Sequence, residues 1–302
     1  MASIKDLKRQ IISVKSTQQT TKALKMVSAA KLRRAQDAIN AHRPFAKGVK
    51  RMIQILAAMP EQGSRSPLFG RDAADGDGGA LPSVTVFVVT SDRGLCGGFN
   101  SNVIKAASRW IRENQTRYSK IELCFVGKKG YEFFKSRPFT MGQYFQEISG
   151  KMVYRMAKTM ADGMVAKYLN GETDEVKVVY NEFKNAASQE TVIEDFLPVK
   201  PMAPENASAG VEVADPMYII RPSAPELLEE LLSRHFAVQS FRVLLESQAG
   251  EHGARMAAME NATKNASEKI KELTLQYNKQ RQAGITKELL EIIAGSESQK
   301  VS

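Results

Sequence analysis

ARMAAMENATKNASEKIKELTLQYNKQ, residues 254–280, decides the architecture. Within it Met256, Met259, Thr263, Ala266, Ile270, Leu273 and Tyr277 are separated by alternating steps of three and four, the a/d seam of a left-handed coiled coil. Such a seam cannot bury itself and demands a second helix. The helical pattern around it runs from Ser223 to Ala294, about 108 Å of helix if unbroken, with Gly250 and Gly253 marking a candidate irregularity.

The partner stands at the other end of the chain. From Ser3 to about Met59 there is no glycine before Gly48 and no proline before Pro44. Ile4, Leu7, Ile11 and Val14 open the same three-four spacing. The seam turns polar through Ser16, Thr17, Gln18, Gln19, Thr20 and Thr21, and the reading resumes it at Leu24, Val27, Leu32, Ala35, Ile39, Val49, Ile53 and Leu56. Pro44 is expected to introduce a mild kink. Two long helices at opposite ends of a chain pair most simply antiparallel, with whatever lies between them set to one side as a lobe.

The middle, 83–200, alternates strand and helix. Val84–Val89 is almost continuously apolar, as a strand buried on both faces should be. Helix is expected over 101–115, 128–136 and 149–169, and extended chain over 121–126, 176–183 and 191–199. This order predicts a small Rossmann-like α/β lobe with a mainly parallel sheet. The resulting division is an N-terminal coiled-coil helix (1–59), a Gly-, Pro- and Asp-rich surface linker (60–82), the lobe (83–200), a proline-rich loop (201–222) and a C-terminal coiled-coil helix (223–302).

Charge is concentrated rather than spread. The net formal charge is +10, yet residues 1–58 hold 13 Lys and Arg against only Asp6 and Asp37, while the rest of the chain holds 30 basic and 31 acidic side chains. A basic helix with so few acids for i,i+4 pairing implies an acidic partner: nucleic acid, an anionic membrane or an acidic protein surface. No stretch approaches the ~20 apolar residues of a membrane span. Residues 1–20 lack the apolar core of a secretory signal, and their helical pattern runs on too far for a cleaved leader.

One motif invites a catalytic reading. Ser91-Asp92-Arg93-Gly94-Leu95-Cys96-Gly97-Gly98-Phe99-Asn100 follows a buried strand and precedes a helix, where phosphate loops are found. Its spacing is GxxGG, neither the GxGxxG of dinucleotide binders nor the GxxxxGK of P-loops, and no lysine follows. A tight strand-to-helix turn fits better, its glycines supplying positive φ and close packing. Cys96 and Cys124 have no histidine near them in the sequence, since His42, His235 and His252 lie on the long helices. They read as buried free thiols of a reducing compartment rather than nucleophiles or zinc ligands. The residues give no catalytic constellation, no metal site and no cofactor site.

Three separated segments resemble the gamma subunit of the F-type ATP synthases. They are Leu7–Val14 continuing through Thr17, Thr21, Ala23 and Met26–Lys31; the turn Ser91–Asn100; and the closing run through Ala254-Arg255-Met256, Asn261-Ala262-Thr263, Tyr277-Asn278, Arg281-Gln282-Ala283 and Ile285–Ile292. That family commonly has Ile where Thr20 stands, Met where Leu24 stands and Ala where Ser296 stands. The resemblance implies a rotor: the terminal helices form the antiparallel coiled coil threading an α3β3 hexamer, and the lobe bears on the c-ring with the epsilon subunit. It further implies catch contacts with the β subunits at Leu24, Arg255, Arg281, Gln282, Thr286 and Glu288, and a c-ring footing in the 200–215 loop at Glu205. The chain is then a non-catalytic subunit, peripheral to the membrane through its complex. The expected location is the cytoplasmic side of a bacterial inner membrane, and the basic helix meets acidic protein rather than nucleic acid. Two rivals rest on single features: a coiled-coil nucleic-acid binder on the basic helix, which lacks interleaved aromatics, and a nucleotide-binding enzyme on the glycine turn.

Overall fold

Val84–Val89 sends Phe87 and Val89 to one apolar cluster and Val84, Val86 and Val88 to another. A strand that feeds two cores has to be the centre of a sheet covered on both faces. In the computed structural model, which describes residues 3–57, 66–70, 81–146, 153–185, 188–199, 221 and 223–300, that strand is β1 (Ser83–Val89). Around it stand β2 (Lys120–Val126), β3 (Thr140–Phe145), β4 (Glu175–Phe183) and β5 (Gln189–Leu197), in the order β3-β2-β1-β4-β5. The pairs β1–β2, β1–β4 and β2–β3 are parallel, and β4–β5 is antiparallel. The helices are α1 (Ile4–Ala57), α2 (Phe99–Asn114), α3 (Lys128–Phe134), α4 (Val153–Leu169) and α5 (Ala224–Lys300).

The chain separates into two compact units, residues 1–29 with 255–302 and residues 30–254. In the larger unit α2 buries Phe99, Val103, Ala107 and Ile111, a four-residue step that presents one stripe to the sheet. The opposite face is covered by α4, by Val49, Ile53 and Leu56 of α1, and by Leu228, Leu232, Phe236 and Leu244 of α5. Both α1 and α5 contribute a segment to each unit. Helix α1 runs unbroken through Pro44, and α5 runs unbroken through Gly250 and Gly253 for 77 residues.

The smaller unit is an antiparallel helix pair. Thr21 Oγ1 lies 2.8 Å from Thr263 Oγ1, Lys25 Nζ 3.0 Å from Glu260 Oε1, and a Cβ at Gly284 would sit 3.7 Å from Ile4. Ser3 begins α1 with a reciprocal cap: its hydroxyl accepts the amide of Lys5, and the Asp6 carboxylate accepts the amide of Ser3.

The differences from the sequence expectation are local. Strand β3 was not anticipated. It is a half-exposed edge whose TMGQYF has a glycine at its centre and no clean alternation. Residues 60–82 read as a surface linker, yet Pro67–Phe69 form a single 3₁₀ turn that buries Leu68 in the core and accepts the amide of Val199 at the Leu68 carbonyl. The turn before α2 needs glycine at one of its three glycine positions, since Gly97 has φ +56°. The other positive φ belongs to Leu95 at +62°.

Candidate functional site

The outer face of the helix pair is built by its seam. On α5, Met259, Ala266 and Leu273 are buried, Met256, Thr263, Ile270 and Tyr277 half-buried, and the same rhythm continues to Gly284. On α1 the inward positions are Leu7, Ile11, Val14, Gln18, Thr21, Lys25, Ser28 and Leu32, in uninterrupted steps of four and three. The seam therefore does not break at residue 16; it goes on in register with polar residues. Val27, expected inside, is 53% exposed, whereas Thr21 and Ser28 are 8% and 3% exposed. Burial on α1 follows heptad position rather than apolar type.

Thr21 and Thr263 carry three contacts on two protons. Each hydroxyl lies within bonding distance of its own helix, Thr21 of the Gln18 carbonyl (3.0 Å) and Thr263 of the Met259 carbonyl (2.7 Å), as well as of the other hydroxyl. One threonine donates to its helix and accepts from its partner. A polar pair buried at one level of an apolar seam specifies register, because sliding by a heptad would set Thr21 against Met256 or Ile270.

The side chains assigned to the catch contacts all belong to this unit. Leu24 and Arg255 are half-buried, and Arg281, Gln282, Thr286 and Glu288 are exposed. At ~100° per residue Arg281 and Glu288 share one strip, and Gln282 with Thr286 share another more than a quarter-turn away. None occupies the seam. Thr286 donates to the Gln282 carbonyl at 2.9 Å, holding its hydroxyl against its own helix. From Ile285 to Ile293 every side chain is exposed, including Ile285, Leu289, Leu290, Ile292 and Ile293. Lys5, Lys8, Arg9, Lys15 and Lys22 of α1 are exposed as well. The face is thus basic on one helix and mixed polar and aliphatic on the other. Glu205 lies outside the described residues.

The glycine turn offers no comparable surface. Asn100 accepts the Ser91 amide at 2.9 Å, the Ser91 hydroxyl donates to the Arg93 carbonyl at 2.6 Å, and Asp92 accepts the Lys128 amide at 3.0 Å, starting α3. The first amide of α2, on Phe99, is bonded to the Cys96 carbonyl at 3.2 Å. The Ser91 amide and hydroxyl and the Phe99 amide are thus spent inside the turn. Cys96 and Cys124 are buried free thiols, and burial pushes the Cys124 thiol up to about 11. Among the described residues no three His, Cys, Asp or Glu gather where they could hold a metal ion, and no helix is long and apolar enough to cross a membrane.

A protein-family model described as ATP synthase matches residues 3–298. The curated ATP synthase gamma chain of Trichlorobacter lovleyi is 47% identical over 304 residues, covering 99% of this chain and all of its own. That of Geobacter metallireducens is 48% identical over 300 residues, with the same coverage. The chain belongs to the ATP synthase gamma-chain family. Among solved structures, a chain from the central stalk and c-ring of the Tetrahymena thermophila mitochondrial ATP synthase is 25% identical with a TM-score of 0.57, over 80% of this chain and 99% of that one. A chain from the Euglena gracilis mitochondrial ATP synthase is 22% identical with a TM-score of 0.65, over 98% and 94%, and shares the fold. The gamma-chain match spans both units and both long helices, so the helix pair and the lobe belong to one family pattern.

Proposed function

We infer that the chain is the central rotor shaft of an ATP synthase, coupling ion flow through a c-ring to the conformational cycle of catalytic β subunits while holding no active site itself. The observation that carries this reading is full-length identity near one half to curated gamma chains. The helix pair supports it: its seam is satisfied internally and its outer face, basic on α1 and mixed polar and aliphatic on α5, is left exposed. A surface that must pass three β subunits in turn is better served by screened, exposed charges than by deep interlocking, since such pairs form and release at little cost.

In this reading the basic face of α1 meets acidic catch loops of the β subunits. Leu24, Arg255, Arg281, Gln282, Thr286 and Glu288 supply the catch, and the lobe with the 200–215 loop, Glu205 included, serves the c-ring and epsilon. The divisions of the chain keep the roles given to them above: two coiled-coil helices, a connecting segment, a lobe and a basal loop. The complex lies on the cytoplasmic side of a bacterial inner membrane, and the chain is peripheral to that membrane.

The test has two parts. Affinity capture of the tagged chain from its membranes is expected to bring α and β subunits with it; capture without them overturns the reading. Arg281→Ala with Glu288→Ala is expected to leave the complex assembled and to lower steady-state ATP hydrolysis by about one to four orders of magnitude, the worth of one or two charge-assisted bonds of about 1.5–3 kcal/mol each once the closed catch shields them from water. Reversing the charge at exposed Glu172 is expected to change little. Wild-type turnover by the assembled double variant refutes the catch assignment.

A further inference from the structure

A polar knot sits where α5 lies against the β4–β5 hairpin inside the larger unit. Arg242 on α5 gives both Glu194 oxygens a bond from Nη2 at 2.7 Å, donates from Nη1 to the Tyr180 hydroxyl at 2.9 Å, and donates from Nε to Gln239 at 2.7 Å. Tyr180 in turn donates to Glu194 at 2.9 Å. Two turns further along α5, Gln189 at the start of β5 donates to the Gly250 carbonyl at 2.6 Å. Here a Cβ on the helix would stand 3.2 Å from the Phe99 ring, so only glycine lets the helix come this close without displacing its neighbour.

The apolar core already holds α5 to the sheet through Leu232, Phe236 and Leu244. Apolar contact is non-directional, however, and tolerates rotation and sliding. A half-buried Arg–carboxylate pair adds little net stability, because desolvation offsets most of its attraction, but with Nε, Nη1 and Nη2 each tied to a different side chain the guanidinium is held in one orientation. Two such ties about 12 Å apart along one helix resist both twist and translation.

We propose that Arg242 and Gln189 form a clamp that fixes the angular position of α5 on the lobe, making them positioning residues for torque transfer between the lobe and the shaft. The inference rests on the rotor reading above and adds the place where the lobe grips the helix. The clamp acts on coupling, not on the hydrolytic step, which belongs to other subunits.

The test uses the intact complex in inverted membrane vesicles, reading proton or sodium uptake per ATP hydrolysed. Arg242→Met with Glu194→Met and Glu246→Met replaces the charged side chains of the knot by apolar ones of similar volume and leaves neither carboxylate unpaired. The expected result is assembled complex, ATP hydrolysis within about twofold of the parent, and uptake per ATP lowered by about fivefold or more. Arg242→Lys, with one ammonium in place of the three guanidinium nitrogens, is expected to fall between. Lys177→Met removes ion pairs to Glu175 and Asp195 within the hairpin but not to α5, and is expected to keep the parental ratio. Should this variant fail to assemble, Tyr180→Phe removes two bonds of the clamp and Gln189→Ala one, and both are expected to lower the ratio by smaller steps. An assembled Arg242→Met, Glu194→Met, Glu246→Met variant with the parental ratio overturns the clamp and leaves the rotor reading intact. A parent chain that assembles with no α or β subunits overturns both.

Discussion

The Thr21–Thr263 pair gives the sharpest test of how the helix pair holds its register. The perturbation is Thr→Val at each position and at both, which keeps side-chain volume and removes hydroxyls. In either single variant the surviving threonine still reaches its own helix, at the Gln18 or the Met259 carbonyl, so no polar group is orphaned. The loss is one neutral hydrogen bond across the seam, about 0.5–1.5 kcal/mol. In the double variant both hydroxyls go and two apolar groups meet in a seam position that is 8% exposed on the α1 side, so the net change is expected to be close to zero. The cycle therefore predicts a coupling of about 2 kcal/mol between the sites, the sum of the two single losses that the double variant does not show. Native-state hydrogen exchange on the intact chain reads it directly: amides of residues 14–28 and 256–270 open about fivefold more often in each single variant and near the parental rate in the double. Strictly additive effects, with the double variant as open as the two singles combined, would refute the claim that these hydroxyls act as a pair.

Gly127 and Gly48 make opposite predictions from the same substitution. Alanine at Gly127, where φ is +86° and the new Cβ would meet the Thr90 carbonyl oxygen at 2.2 Å, is expected to cost about 3 kcal/mol or more in chemical denaturation. At exposed Gly48 in α1, where nothing lies within 4 Å, it is expected to stabilise by about 0.5–1 kcal/mol. His235 predicts a pH effect. Burial, then Arg242 and Lys50, push its imidazole down to about 4 from the usual 6.5, against the pull of Glu194. The unfolded chain thus binds more protons between those values, and stability contributed by neutral His235 is lost as pH falls from about 6.5 to about 4. Glu246, whose carboxyl burial raises, acts in the opposite sense, so the measurement is the difference between the parent and His235→Leu: the variant's stability should fall less across that window, by up to about 3 kcal/mol.

What the sequence made legible follows from whether a signal is periodic or depends on distant partners. The stripe from Met256 to Tyr277 and the run Val84–Val89 declare their surroundings by repetition, and helix pair and parallel sheet follow from them. The polar stretch of α1 hides its seam from an apolar pattern, since Gln18, Thr21, Lys25 and Ser28 keep the heptad although none is apolar. Strand β3 escaped because an edge strand with a central glycine has neither of the two signatures. Leu95 adopts a left-handed backbone, which no pattern of glycines announces. The six catch residues came from family likeness alone; exposure on the helix pair is compatible with that role but does not single them out. The Arg242 knot was invisible, since its partners lie 48 and 62 residues away and meet only once the hairpin and α5 have packed.

Helix α5 passes through three regimes of burial that no single amphipathic pattern could satisfy. From Leu228 to Gly250 most positions are buried or half-buried, because sheet, α1 and α4 enclose it, and there it carries Arg242 and its tightest backbone approach. From Arg255 to Gly284 it buries one stripe only, against α1. From Ile285 onward it buries nothing that the structure describes. A core helix is selected for packing all round, a coiled coil for one seam, and an exposed tail for whatever it meets. In the rotor reading these are a gripped segment, a stiffened segment and a contacting segment of one continuous helix. Stiffness is needed between the first and the last, and the seam supplies it at the level where the threonine pair stops α1 from sliding. The exposed aliphatic side chains beyond Gly284, costly in water on an isolated chain, are then the part of the helix whose partner belongs to another subunit.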